Sequence, residues 1–279
     1  LGGKVNMGLT TFRNLWREVC PHIKFLPPRS DVCPNCEKLL DGIKDARGVE
    51  NKLEATQTFQ EHLNHVQTER GGYNTCVQEA RQEMEGRSIP VPSTTPVAPC
   101  SSNLKKVHLT FDYSQCCTIP HHSSQVGPLY FLNPRKIQLF GVAFEGAYKQ
   151  LNFLVDENES LGKGPNSVLS MLDHALHISG LGESEVNMHA DNCSGENKNR
   201  FTMAYLSWRT MNGLHQKINL HMQVAYHGKC LVDAGFGVVK KLYRRSDVDT
   251  LYQLRDVVDT PASSKAVLYD GPEGWVWRD

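Results

Sequence analysis

The chain has 279 residues, 39% of them apolar and 22% charged, room for one large domain and a smaller one of ordinary globular composition. Thirty basic residues balance thirty acidic ones, which excludes a whole-chain electrostatic pull toward nucleic acid and leaves only local patches for such a contact. No apolar run approaches the roughly 18 residues that span a bilayer, and LGGKVNMGLTTFRNLW has neither the apolar core nor the cleavage site of a signal peptide.

Three parts follow in chain order. Residues 1–86 are helical in pattern. TFRNLWREVC reads as a short amphipathic helix with Thr11 as a candidate N-cap. A Pro-marked stretch leads to CPNCEKLLDGIKDA and then to a long polar helix from about Val49 to Glu85. Leu63, Val66, Tyr73, Val77 and Ala80 recur at three- and four-residue steps, a narrow apolar seam that Gly71-Gly72 is expected to bend or break. An antiparallel helical hairpin or short coiled coil, through which copies of the chain could associate, is the economical reading. Residues 87–105 (RSIPVPSTTPVAPCSSNLK) are rich in Pro, Ser and Thr without apolar periodicity, as a linker is.

Residues 106–279 alternate strands and helices. VHLTFDY, KIQLFGVAFEG and YKQLNFLVDE read as three strands, the last two joined by a turn at Gly146-Ala147. PNSVLSMLDHALHISG is a helix ending at Gly180, EVNMHAD a strand, NKNRFTMAYLSWRTMNG a helix closed by Gly213, INLHMQVAY a strand and LVDAGFGVVKKLYRR a last helix. Three antiparallel strands followed by strands alternating with helices predict an α/β fold with a mixed sheet flanked by helices. This β-β-β-α-β-α-β-α order is that of the RNase H-like fold, expected over 106 to about 246.

Carboxylates fall at telling places on that order. Asp112 ends the first strand, Asp191 ends the fourth, and Asp233 opens the last helix. In an RNase H-like sheet the first and fourth strands are parallel neighbours, so the first two acids meet and the helix brings the third. Such a cluster suits two Mg²⁺ or Mn²⁺ ions and phosphoryl transfer on nucleic acid. Any single Asp at a strand end or helix cap has a purely structural reading; the matched pair is what points to metal. Asp247, Asp249 and the nearer Glu196 are rivals for the third position. Asp191 also leads through ADNCSGENKNRF into a helix N-terminus that favours an anion, where Asn197 and Lys198 could contact the scissile strand. Lys198 with Arg200, and Lys240 and Lys241 with Arg244 and Arg245, are the best basic patches, each of them equally readable as a solvated helix face.

Nine cysteines, an odd number without the spacing of a secreted scaffold, fit a reducing compartment, cytosol or nucleus. Cys33 and Cys36 form a CxxC, and His62 and His65 follow on one helical face. Two thiolates and two imidazoles would make a closed structural Zn²⁺ site pinning the loop to the long helix. Cys20 and His22 are alternative ligands. Cys116-Cys117 with His121-His122 reads as a loop, because adjacent cysteines rarely ligate one ion.

HLTFDYSQ, GPLYFLNPRKIQLFGV, HADNCSGENKNRF, LSWRTMNGLH and FGVVKKLYRR, with FRNLWREVCPHIKFLPPRSDVCPNC and EHLNHVQTERGGYN before them, resemble a family of transposon-derived proteins abundant in animal genomes. The resemblance implies a nuclear, Mg²⁺- or Mn²⁺-dependent transposase core of the Asp-Asp-Asp/Glu type, acting on transposon ends and target DNA. It implies Asp112, Asp191 and Asp233 as the acids and His227 at the edge of their site. Glu196 stands where Gln is usual, and GKCLVDAGFG is looser than the family's Lys-Phe-x-x-Asp. The alternatives are a domesticated, inactive DNA- or protein-binding module and an RNase H-like nuclease acting on RNA or hybrids. The absent starting Met and the end at Trp277-Arg278-Asp279 lead us to expect a fragment, with any DNA-reading module outside it.

Overall fold

The computed structural model describes residues 7–23, 32–87, 95–124 and 127–268. Residues 88–94 of the expected linker and the stretches 24–31, 125–126 and 269–279 lie outside the described residues; 95–105 run in turns and irregular backbone.

The N-terminal part holds α1 (Leu9–Val19), α2 (Pro34–Asp45) and α3 (Val49–Met84). Helix α1 begins two residues before Thr11, with Gly8 as its N-cap, and buries none of its side chains. Helix α2 starts with Pro at its first turn, where a missing N–H costs nothing, and packs on α3 across the short connection Ala46–Gly48. Contrary to the sequence expectation, α3 runs unbroken through Gly71-Gly72. Each glycine costs a helix about 1 kcal/mol, and the next three turns bury Tyr73, Val77, Ala80 and Met84 against the sheet, which more than offsets it at roughly 1.5–3 kcal/mol per large apolar side chain. The contact is close: a side chain at Gly146 would meet the Ala80 carbonyl oxygen at 2.6 Å.

The remainder is a six-stranded mixed sheet flanked by helices. Its strands are β1 (Lys106–Ile119), β2 (Arg135–Phe144), β3 (Lys149–Asp156), β4 (Glu185–Ala190), β5 (Lys217–Met222) and β6 (Ser264–Leu268), in the spatial order β5-β4-β1-β2-β3-β6. The first three are antiparallel neighbours, as their sequence predicts, while β4 lies parallel to β1, β5 to β4 and β6 to β3. Between the strands come α4 (Gly127–Tyr130), α5 (Pro165–Ser179), α6 (Arg200–Met211), α7 (Leu231–Tyr243) and α8 (Leu251–Asp259). Helix α7 is therefore not the last element: α8 and β6 follow, and Thr250 caps α8, its side chain accepting from Gln253 N. Cys116 and Cys117 lie not in a loop but in β1, at a register shift between Ser114 and Cys117.

Strand alternation splits the core in two. Leu109 and Phe111 join Phe140, Val142, Phe144 and the α5 residues Val168, Met171 and Leu172 on one face. On the other, Ile137, Leu139 and Ala143 pack with Val232, Phe236 and Val239 of α7 and Leu254 and Val258 of α8. A side chain at Gly141 would lie 2.7 Å from the Phe236 ring and 2.8 Å from Val232, so glycine lets α7 cross close over β2. Among the described residues no helix is long and apolar enough to cross a membrane.

Candidate metal centres

The register of β1 decides where the acids go. Strand β1 does not end at Asp112 but runs seven residues further; what ends is its pairing with β4, at Thr110↔His189. Two residues on, with the same side-chain phase, lie Asp112 and Asp191, just past the last rung. Asp112 also sits opposite Gly141 on β2, and opposed residues share a face, so its carboxylate faces α7. Asp233 is the third residue of that helix, where its Oδ2 accepts from Cys230 N at 2.8 Å in a capping box.

The acids are electrostatic neighbours. Burial first, then repulsion from Asp191, and further repulsion from Asp233 and Glu196, push the Asp112 carboxyl up to about 7, although its Oδ1 accepts from Tyr113 N at 2.7 Å. Burial and Asp191 likewise raise Glu196, against the pull of Lys163. Their oxygens do not all lie within 4.8 Å of one another, the spacing a single shared ion would require. Asp247 and Asp249 are remote from the group, lying against His122 at 4.0 and 3.4 Å; Glu196 is the rival that is near.

The loop after β4 holds Asp191 rather than presenting its own groups outward. Asn197, 2% exposed, donates from Nδ2 to Asp191 Oδ1, so it orients the acid and is too deep to grip a strand itself. Its own Oδ1 is buried without a hydrogen bond. The N-terminus of α6 is not open to an anion either, because Asn199 caps it, accepting from Phe201 N at 3.0 Å and Thr202 N at 3.1 Å. Lys198 and Arg200 are exposed. Lys240 is spent on the protein, donating to the carbonyls of Gln115 and Cys116 at the β1 register shift, whereas Lys241 is exposed.

Beneath the acids lies a polar layer that sequence reasoning missed. His108 and Thr110 share the Asp112 face of β1; Asn187 and His189 lead to Asp191 in the same phase. His108 Nε2 meets His189 Nδ1 at 2.8 Å, and His189 stacks on His221 at 4.5 Å. Burial, then the other histidines' charge, holds His108 at about 3 and His189 at about 4, so both are neutral at pH 7. The buried Glu145 carboxylate accepts from Tyr73 Oη at 2.6 Å and Thr110 Oγ1 at 3.0 Å, and Leu231 N lies 3.4 Å from it. It thereby ties α3 and β1 to the first residue of α7, two before Asp233. The alternation H-x-T-x-D and N-x-H-x-D was the available signal.

A second group is formed by Cys33, Cys36, His62 and His227, whose ligand atoms all lie within 4.8 Å of one another. Cys33 is the N-cap of α2, Cys36 lies in its first turn, His62 is midway along α3, and His227 comes from the loop between β5 and α7. Cys33 Sγ lies 3.6 Å from His62 Nε2 and Cys36 Sγ 3.4 Å from His227 Nε2. A tetrahedral ion with bonds of about 2.3 Å to sulfur and about 2.05 Å to nitrogen sets S···N edges of about 3.5 Å, so these residues could hold a metal ion. Burial, followed by the Cys33 thiol beside it, pushes the Cys36 thiol up.

The fourth ligand corrects the sequence reading. His65 is exposed and outside the group. Three residues along α3 carry it about 4.5 Å up the axis from His62, past the α2 turn that bears the cysteines. His227 fills the position from the other part of the chain. Cys20 and His22 do not join the group.

Residues 133–270 match the model of a family described as a domain of unknown function (DUF7869). The match spans β2 to β6 and takes in Asp191, His227 and Asp233 but not Asp112. No curated protein and no solved structure matches the chain.

Proposed function

We propose that this chain is an RNase H-like, transposase-type enzyme that cuts and rejoins DNA strands, using Mg²⁺ or Mn²⁺ at Asp112, Asp191 and Asp233. One observation carries the reading: the parallel β1–β4 pairing ends two residues before Asp112 and Asp191, and the charges of Asp191 and of Asp233 on α7 both act on Asp112. The sheet order supports it, since β3-β2-β1-β4-β5 with β1 parallel to β4 is the RNase H-like arrangement, here with β6 added at the β3 edge. So does the penalty on Asp112, because a half-buried carboxylate crowded by three other acids is a site that a divalent cation relieves.

Asp112, Asp191 and Asp233 would hold the divalent cation, which would supply charge neutralisation at a phosphodiester. The chain's own part is placement. Asn197 locks the Asp191 rotamer, and the Glu145–Tyr73–Thr110 network fixes the start of α7 and with it Asp233. DNA is the substrate and the nucleus the place of work, with Lys198, Arg200 and Lys241 as exposed phosphate contacts. Mn²⁺-supported cleavage of DNA bearing the element's own ends, compared between wild type and Asp191→Ala, tests this; equal activity in both proteins removes it.

A second reading, a non-cutting DNA-binding module, is favoured by the spread of the acid oxygens beyond a single-ion cluster and by the engagement of Asp191 and Asp233 in local hydrogen bonds. It predicts DNA binding without cleavage in either protein.

The ion at Cys33, Cys36, His62 and His227 is Zn²⁺ on this reading. Two thiolates and two imidazoles close the tetrahedron and leave no position for water, which makes the site structural. It clips the helical region to the loop that leads into α7.

A further inference from the structure

A cavity of about 530 Å³ opens between the helical region and the loops that follow β4 and β5. Its size falls within the roughly 300–1,000 Å³ of ligand sites. Asn192, next to Asp191, and Lys198 line it on the β4 side, Tyr226 on the β5 side, and Cys33 and His62 of the soft-ligand group close it. Tyr226 is 58% exposed and holds a φ of 66°. A bulky side chain in the left-handed region costs on the order of 1–3 kcal/mol and persists only where its surroundings impose it. They do so here: Gln223 N donates to Ala190 O at 2.9 Å, His227 N donates to Val224 O at 3.0 Å, and the His227 ring is one of the four metal-ligand groups. The fold therefore holds a strained aromatic ring in water, at the rim of a polar cavity, one loop away from the acids.

We infer that this cavity takes a single unpaired nucleotide of the DNA strand, with its base laid against the Tyr226 ring. The inference rests on the proposed DNA-cleaving function and names the form in which the strand reaches the acids. Every base has a π-face, so a tyrosine platform grips without reading sequence. Lys198 supplies charge for a phosphate, and the Asn192 and Asn35 amides can pair with base edges. The volume suits one nucleotide and excludes a duplex.

The test uses the full chain with its zinc retained and no added Mg²⁺ or Mn²⁺. It is titrated into oligonucleotides carrying 2-aminopurine, either in an unpaired overhang or inside a blunt duplex. Quenching is expected for the overhang alone. Tyr226→Ala should bind the overhang roughly tenfold more weakly, within the range of one base–aromatic stack, while Tyr226→Trp keeps both affinity and quenching. Tyr226→Gly, which accepts a positive φ without strain, should match Tyr226→Ala, and zinc content with circular dichroism verifies that each variant is folded. Wild-type affinity in folded Tyr226→Ala and Tyr226→Gly, equal quenching in the duplex, or no overhang binding by the wild type would overturn the inference. Overhang binding that depends on Tyr226 in a protein that never cleaves upholds the cavity and removes the cleavage reading. Cleavage that needs Asp191 but ignores Tyr226 removes the cavity alone.

Discussion

The Cys/His group and the carboxylate group pose opposite electrostatic problems. In the first, neutral or neutralisable soft donors already stand at tetrahedral spacing, and the helices α2 and α3 fix three of the four. In the second, four hard, like-charged groups crowd a half-buried place; they keep apart, and Asp112 holds its proton up to about pH 7. A closed site can be complete in the fold alone, whereas an open one stays strained by charge until a cation arrives. Donor spacing therefore identifies the first, and only register and electrostatics identify the second.

The sharpest way to break this comparison is at the soft site. Cys36→Ser or His227→Ala should take zinc from one per chain to none in metal analysis, forfeiting a binding free energy of roughly 10 kcal/mol or more, and hydrogen exchange should speed up in α2 and the middle of α3. Retained zinc in His227→Ala would return the fourth place to His65. Next in size is the hard site. Asp191→Ala or Asp112→Ala should lower the single-turnover rate of Mn²⁺-supported cleavage by about a thousandfold, or about 4 kcal/mol of barrier. A rate within tenfold of wild type would show that the acids do not hold the reacting ions.

A third test reads the strain itself. Because the Asp112 carboxyl is raised in the fold, the folded chain binds the proton more tightly than the unfolded one. Stability should then fall as pH rises from about 4 to about 7 through this group, by on the order of 2–4 kcal/mol. Asp112→Asn should erase that loss, so its melting temperature exceeds wild type at pH 8 and the gap closes near pH 4. Saturating Mn²⁺ should raise the wild-type melting temperature at pH 8 and leave Asp112→Asn unmoved. Identical pH profiles would mean that Asp112 is not crowded as described. The smallest expected effect is at His65→Ala, within about 0.5 kcal/mol of wild type in denaturant melts and with zinc unchanged.

The acids were legible in the sequence because strand periodicity is local. V-x-L-x-F alternates in β1 and puts Asp112 on its polar face, E-V-N-M-H-A-D leads to Asp191 just past β4, and parallel pairing of the two strands brings these positions near each other. The helix ends at Gly180 and Gly213 were legible for the same reason, since capping depends on neighbours in sequence. Helix α3 continuing through Gly71-Gly72 was not, because the opposing force is burial against a sheet formed more than 20 residues later. Strand β6, five residues at the edge of the sheet beside β3, carries too short a pattern to stand out. His227 was hidden by distance, 191 positions from the Cys36 it faces; no spacing rule reaches across a linker and five strands.

Sequence by itself determined the order of the main elements from β1 to α7, the phase of those strands and the kinds of donor available, because propensity, periodicity and capping act over a few residues. Tertiary structure alone decided which donors meet. It chose His227 over His65, turned Asn197 inward to hold Asp191, committed Lys240 to backbone carbonyls and gathered His108, His189 and His221 under the acids. Those choices depend on packing one face of the sheet under α7 and α3, and packing joins residues by shape and burial irrespective of their separation along the chain.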